Sequence, residues 1–303
     1  MSAPPDVAVA GQIVRDLVLV VDEAPGPGGS ADVRRRREML GGKGANQAVA
    51  LAQLGMRPAL VGVVGDDDAG RDVLGQARRD GVDVSRVVRR AGAGTGLIVD
   101  IVDGAGRWRY LEDTPPPVLL TEADVAAAGP LLRAAPWTAV QLQQPPGAVR
   151  AAVELARGNR IVLDGAPSED DRDDLLAAAF LVRADAREAA MLAGAPIGSA
   201  EEAARLGADL VRRGPSLVAL AVEDANVFVW EGGGAVVPLD DTPVTDTTGA
   251  GDALTAALIA ALARGEPPER AARFSAAAAG ATVGRPGGRP ALSFEGVGAR
   301  AGL

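Results

Sequence analysis

Residues 246–252 read Asp246-Thr247-Thr248-Gly249-Ala250-Gly251-Asp252 and sit between a strand-like stretch and an alanine-rich helical run, Asp252 to Ala263. Three small residues at a helix start leave backbone N–H groups uncovered and let a ligand come close. The helix dipole adds positive potential, so the segment suits an anion such as phosphate. Asp252 lies in the first turn beside that place. A carboxylate there can accept a proton from an attacking hydroxyl while the amides hold charge developing on a transferred phosphoryl group. The plainer alternative is a glycine-rich turn capped by aspartate, a good N-cap in any protein. On the local physics both readings stay open.

A second segment, Gly41-Gly42-Lys43-Gly44-Ala45-Asn46, also opens a helix. Its glycines allow backbone contact with a polar ligand, and Asn46, one turn on, offers a donor and an acceptor that suit sugar hydroxyls. A plain loop-to-helix joint is the alternative. The spacing G-x-x-x-x-G-K-[ST] is absent, so Lys43 is not a Walker lysine.

Between these segments apolar patterns alternate. Strands are expected at Val7–Val9, Ile13–Val21, Ala59–Val64, Ala139–Leu142, Ile161–Leu163, Phe180–Val182 and Leu217–Val222. Helices are expected at Ala45–Leu54, Asp66–Arg79, Ala200–Arg213, Asp252–Ala263 and Pro268–Val283. Such alternation favours a parallel sheet covered on both faces. Two hairpins depart from it: Leu97–Asp103 with Arg107–Leu111, and Val227–Trp230 with Ala235–Leu239. The first has polar residues interleaved and reads as a small β lid.

The composition removes many chemistries. The 303 residues are 48% hydrophobic and 23% charged, enough for one large α/β core. Lys and Arg total 31 against 40 Asp and Glu, a net charge of −9, so a basic footprint for nucleic acid is missing. The run Arg34 to Arg37 reads as a solvated face and receives no function. With no cysteine and no histidine, disulfides, thiolate nucleophiles, the usual zinc sites and a Ser-His-Asp triad are excluded. No apolar run reaches a bilayer-spanning length and no signal-peptide pattern opens the chain, so no membrane partner and a cytoplasmic location are expected.

Together the two glycine segments resemble the ribokinase-like sugar kinase family, whose members pair a GG-K-G-x-N motif near the N-terminus with a D-T-x-G-A-G-D motif near the C-terminus. The resemblance spans essentially the whole chain. It implies one domain over residues 1–303 with an α/β, ribokinase-like three-layer sandwich: a central, mostly parallel sheet and a small β lid from parts of about 12–40 and 95–115. It implies Asp252 as catalytic base and Gly249, Ala250 and Gly251 as an anion hole. Asp16, Gly42, Lys43, Asn46 and Gln143 would bind the substrate, and Asp185, Ala221 and Glu223 would lie on the nucleotide side. Glu188 would serve magnesium through water, and Asp246, Thr248, Arg285 and Gly287 would hold a monovalent cation such as potassium. ATP is the implied donor, and a homodimer through the lid the implied assembly.

The departures narrow the acceptor. Val14 stands where ribokinases carry Asn, and Gln143 where they carry Glu, so ribose would lose polar partners at about 1–3 kcal/mol for a buried group. Asp185 replaces the Asn of the family's N-x-x-E motif, and Ala221-Val222-Glu223 replaces a T-x-G turn, placing a carboxylate near phosphates. The leading expectation is phosphorylation of the primary hydroxyl of a small sugar, D-ribose to ribose 5-phosphate. A kinase for a nucleoside or another sugar is the alternative, and a non-catalytic sugar- or nucleotide-binding member is the second. A dinucleotide-dependent oxidoreductase lacks its G-x-G-x-x-G turn after the first strand.

Overall fold

The structure is a computed structural model that describes residues 4–105, 107–240, 242, 244, 247–284 and 291–303. The chain opens with β1 (Val7–Ala10), β2 (Val14–Val21) and β3 (Val33–Gly41), then α1 (Lys43–Gln53), β4 (Pro58–Gly65), α2 (Asp68–Arg79) and β5 (Asp83–Arg90). A hairpin follows, β6 (Leu97–Val102) and β7 (Trp108–Asp113), and then two short helices, α3 (Glu122–Ala127) and α4 (Gly129–Ala134). Strands and helices next alternate through β8 (Trp137–Gln141), α5 (Pro146–Leu155), β9 (Arg160–Asp164), α6 (Arg172–Ala178), β10 (Leu181–Ala184), α7 (Ala186–Ala193), α8 (Ala200–Val211) and β11 (Leu217–Ala221). A second hairpin, β12 (Ala225–Trp230) and β13 (Gly233–Pro238), leads to α9 (Ala250–Ala263), α10 (Pro268–Val283) and α11 (Phe294–Arg300).

Among the described residues nine strands form one sheet in the order β13-β12-β11-β10-β9-β8-β1-β4-β5, parallel from β11 to β5 and antiparallel through the β12–β13 hairpin. Alternation along β1 divides the core. Val7 and Val9 pack with α1, α2, α9, α10 and α11, while Ala8 and Ala10 face the layer of α3 to α8. This is the expected three-layer sandwich. Helix α9 is buried around most of its circumference, which explains why its sequence is apolar on every side rather than on one stripe.

A second sheet in the order β3-β2-β6-β7 stands over the carboxyl ends of the parallel strands. Strand β2 enters it directly from β1, so the chain passes from core to lid within a few residues. Two strands were not expected from the sequence. In β3 the first six residues, Val33 to Glu38, are exposed, and the Arg34–Arg37 run gives no alternation because the strand has no buried face there. Strand β5 sits at the sheet edge and pairs with β4 across a register shift, leaving a mixed pattern of burial.

Among the described residues no helix is long and apolar enough to cross a membrane.

Candidate active site

The carboxyl ends of β1, β8, β9 and β10 converge on the N-termini of α1 and α9, the crevice in which open α/β sheets place their ligands. Helix α1 starts at Gly42, whose φ of +91° suits glycine and whose missing Cβ makes room for the Gln12 carbonyl. Gly44 packs directly on the Gly11 backbone. The glycines of this motif therefore seat the helix start on the β1–β2 turn and turn Lys43 and Asn46 toward the cavity.

Asp252, one turn into α9, is 5% exposed. Its Oδ2 accepts from Asn46 Nδ2 at 3.0 Å and its Oδ1 from Gln47 Nε2 at 3.3 Å, so α1 supplies both partners. Gln47 also donates to Asp164 at the end of β9. Asp164 in turn accepts from Arg183 Nη1 at 3.1 Å. Nearby, Lys43 Nζ reaches Glu188 Oε1 at 3.0 Å. Burial raises the Asp252 pKa from 3.8 to about 6, and the Asp164 charge adds to it; the Asn46 hydrogen bond, Lys43 and Arg183 pull the other way. A carboxylate so placed is poised to take and release a proton near neutral pH.

Around this carboxylate lies a cavity of about 630 Å³. Its floor is formed by Gly42, Lys43, Asn46 and Gly249 to Asp252, and its roof by the lid residues Asp16, Val18, Ile98, Asp100, Tyr110 and Glu112. Asn46 Oδ1 is buried and makes no hydrogen bond to a described residue, which leaves an acceptor for a hydroxyl. A second cavity of about 440 Å³ adjoins it beyond Gly251, walled by Ala221, Val222, Val237, Leu254, Ala277 and Val283. Thr247, Ala250, Gly251 and Arg183 line both. An apolar slot separated from a polar one by an amide cradle is the layout that phosphoryl transfer between two ligands requires.

The structure brings together Asp16, Gly42, Lys43, Asn46, Gln143, Asp185 and Asp252 in the first cavity and puts Ala221 in the second. Glu188 is buried behind the first cavity as the partner of Lys43, and it closes a capping box with Asp185 at the start of α7. Glu223 is exposed and belongs to the wall of neither cavity. Thr248 lines the first cavity and shares a hydrogen bond with Tyr110 of the lid. The other three residues assigned to a monovalent cation, Asp246, Arg285 and Gly287, lie outside the described residues.

The family model described as "pfkB family carbohydrate kinase" matches residues 4–294. The chain belongs to the pfkB family of carbohydrate kinases. It is 27% identical over 296 residues to the ribokinase of Haemophilus influenzae, covering 94% of each chain. It is 33% identical over 305 residues to the ATP-dependent ribose-1-phosphate kinase of Halopiger xanaduensis, covering 96% of each. Among solved structures, the Arabidopsis thaliana ribokinase complexed with ribose and ATP superposes with a TM-score of 0.81 at 24% identity over the whole of both chains. The Thermotoga maritima ribokinase gives 0.83 at 22%, over 99% of this chain and 100% of that one. These likenesses confirm the expected fold, and the family makes this chain a sugar kinase.

Gln47, Asp164 and Arg183 of this kinase were not expected from the sequence. Asp164 had a signal: it follows an apolar parallel strand at its carboxyl end, where site residues gather. Arg183 had another, being a charge inside a strand otherwise built of Leu, Val and Ala.

Gly41 supplies a direct test of whether Asp16 contacts the sugar, because a Cβ there would overlap the Asp16 carboxyl group. The Gly41→Ala kinase is expected to keep its thermal midpoint but to raise the sugar KM by about tenfold or more, since small displacements of a positioning group are costly. A sugar KM unchanged within twofold would remove Asp16 from the acceptor contacts.

Proposed function

We propose that this kinase transfers the γ-phosphoryl group of ATP to the primary hydroxyl of a small sugar, D-ribose being the leading acceptor because relatives at 27–30% identity are ribokinases. The observation that carries the reading is the position of Asp252: beside the Gly249–Gly251 cradle, in the same cavity as Asp16 and Asn46. The ribose and ATP bound in the Arabidopsis ribokinase support the same pair of substrates here.

In this reading Asp16 and Asn46 Oδ1 hold acceptor hydroxyls, and Asp252 takes the proton of the attacking one. A bond forms between that oxygen and the γ-phosphorus, the bond from the γ-phosphorus to the bridging oxygen breaks, and ADP leaves. The amides of Gly249 to Gly251 receive the charge that develops on the transferred group. The apolar second cavity suits the nucleobase.

Magnesium would neutralise phosphate charge when bound. Glu188 Oε1 accepts from Lys43 at 3.0 Å and from Gln143 at 3.3 Å, and Oε2 accepts from the Asp185 amide at 2.8 Å. Among the described residues no cluster of three carboxylates forms a metal cage. Both oxygens being engaged, Glu188 fits a hydrated ion carried by the phosphates, reached through water.

A nucleoside acceptor is the second reading, favoured by one observation. Trp108 and Tyr110 on the lid lie with ring centroids 4.7 Å apart, tilted by 36°, and offer an aromatic wall to a base. A screen of ADP release against pentoses, hexoses and nucleosides separates the two. Ribose is expected to give the highest kcat/KM; a nucleoside exceeding it tenfold would reassign the acceptor, and no ADP release with any of them would overturn ATP as the donor.

A further inference from the structure

Strand β10 reads Leu181-Val182-Arg183-Ala184 and is buried along its whole length. A guanidinium in its third position needs an explanation. Arg183 is 8% exposed; Nη1 donates to Asp164 at 3.1 Å and stands 3.9 Å from Glu188 Oε2. Nη2 makes no hydrogen bond to a described residue. It points at the anion hole: a Cβ on Gly251 would overlap Nη2, so the glycine is needed for the arginine as much as for an incoming phosphate. The side chain also lies in the wall shared by the acceptor cavity and the nucleotide-side cavity.

Stability does not account for this arrangement. A buried Arg–Asp pair is generally replaceable by apolar side chains of similar volume without loss, because the desolvation of both charges offsets their attraction. What an apolar pair could not supply is a fixed positive charge, with N–H donors that no described residue takes up, at the boundary between the two cavities. That boundary is where a γ-phosphoryl group must cross, and a planar guanidinium matches its oxygens.

We propose that Arg183 contacts the phosphoryl group in flight, Nη2 completing from the strand side the cradle that the Gly249–Gly251 amides form from the helix side. Asp164 holds the guanidinium in that position. This role rests on the ATP-dependent reading above. The bonds made and broken are those already given: acceptor oxygen to γ-phosphorus forms, γ-phosphorus to bridging oxygen breaks, the proton goes to Asp252, and Arg183 exchanges no proton.

The test uses the full-length kinase with saturating ATP, magnesium and its best sugar, comparing Arg183→Met, Arg183→Lys and the double variant Arg183→Met/Asp164→Asn. Arg183→Met is expected to lower kcat about 10²-fold with the sugar KM within about threefold of wild type, the size of effect seen when one transition-state donor is removed. The double variant leaves no charge unpaired and is expected to remain equally slow. Added guanidinium ion is expected to restore part of the Arg183→Met rate. If Arg183→Met does not fold, the double variant and Arg183→Lys carry the test, the lysine keeping charge without the fork and losing about tenfold. A double variant within threefold of wild type, or an Arg183→Met rate that does not respond to guanidinium, overturns the proposal. An inactive wild type instead defeats ATP as donor, and an active one beside an equally active double variant defeats this role alone.

Discussion

The Asp252→Asn kinase is expected to lose kcat by on the order of 10³-fold while gaining thermal stability. Removing a positioned general base typically costs 10²- to 10⁴-fold, and the adjacent carboxylate, Asp164, is engaged by Gln47 and Arg183. The asparagine is accommodated. Asp252 accepts from two amides, and the amide group introduced in its place can donate to Asn46 Oδ1, which is buried without a partner among the described residues, if Asn46 turns over. The stability gain follows from the raised pKa. Folded Asp252 titrates at about 6 against 3.8 unfolded, so between those values the native state binds its proton more tightly. Stability from this group is therefore present at low pH and is lost as pH rises through about 6. At pH 7 the ionised form costs at most about 3 kcal/mol, which the amide does not incur. Steady-state rates and thermal midpoints at pH 7 check both halves. A variant that turns over within tenfold of wild type would remove Asp252 as the base, and a lower midpoint would show that burial of its charge is compensated.

Much of this site could be read in the sequence because two glycine motifs each carry their own physics. Gly42 and Gly44 are small where a helix start meets the Gly11–Gln12 turn, while Gly249 takes a φ of +72° at the start of α9 and Gly251 leaves room for the Arg183 guanidinium. Both needs are local and leave a composition signal. The alternation of the core was legible for the same reason, since every parallel strand of the large sheet except β5 is buried along nearly its whole length. The lid was only half legible. The β6–β7 hairpin has a glycine turn, whereas β3, with its arginine run exposed, has no buried face to impose a period. Gln47, Asp164 and Arg183 were invisible as a group because they come from α1, β9 and β10 and meet only through the sheet order. Nothing in the spacing of residues 47, 164 and 183 indicates that one amide would serve two carboxylates. Tertiary contact alone creates that network, and with it the raised pKa of Asp252.

The pH profile of kcat/KM reads that network directly, since it reports ionisations of the free enzyme and substrate. With Asp252 required as carboxylate, activity is expected to fall about tenfold per pH unit below about 6 and to level off above it. The terminal phosphate of a nucleotide titrates in the same region, so the wild-type curve alone does not assign the group. Variants do. Besides burial, four residues shift the Asp252 pKa: Asp164 from β9 raises it, while Asn46 and Lys43 from α1 and Arg183 from β10 lower it; Gln47 of α1 faces the carboxylate as well, as a hydrogen-bond donor. Asp164→Asn removes the like charge, keeps an oxygen for Gln47, and leaves Arg183 with one anionic neighbour fewer. Each change favours ionised Asp252, so the acid limb is expected to move down by about one unit. Arg183→Met removes a favourable cation and should move it up. The nucleotide is identical in all three proteins and cannot produce opposite displacements. Limbs that coincide in wild type, Asp164→Asn and Arg183→Met would mean that the titrating group is not Asp252, and the carboxylate pair linked through Gln47 would then have no part in setting the base.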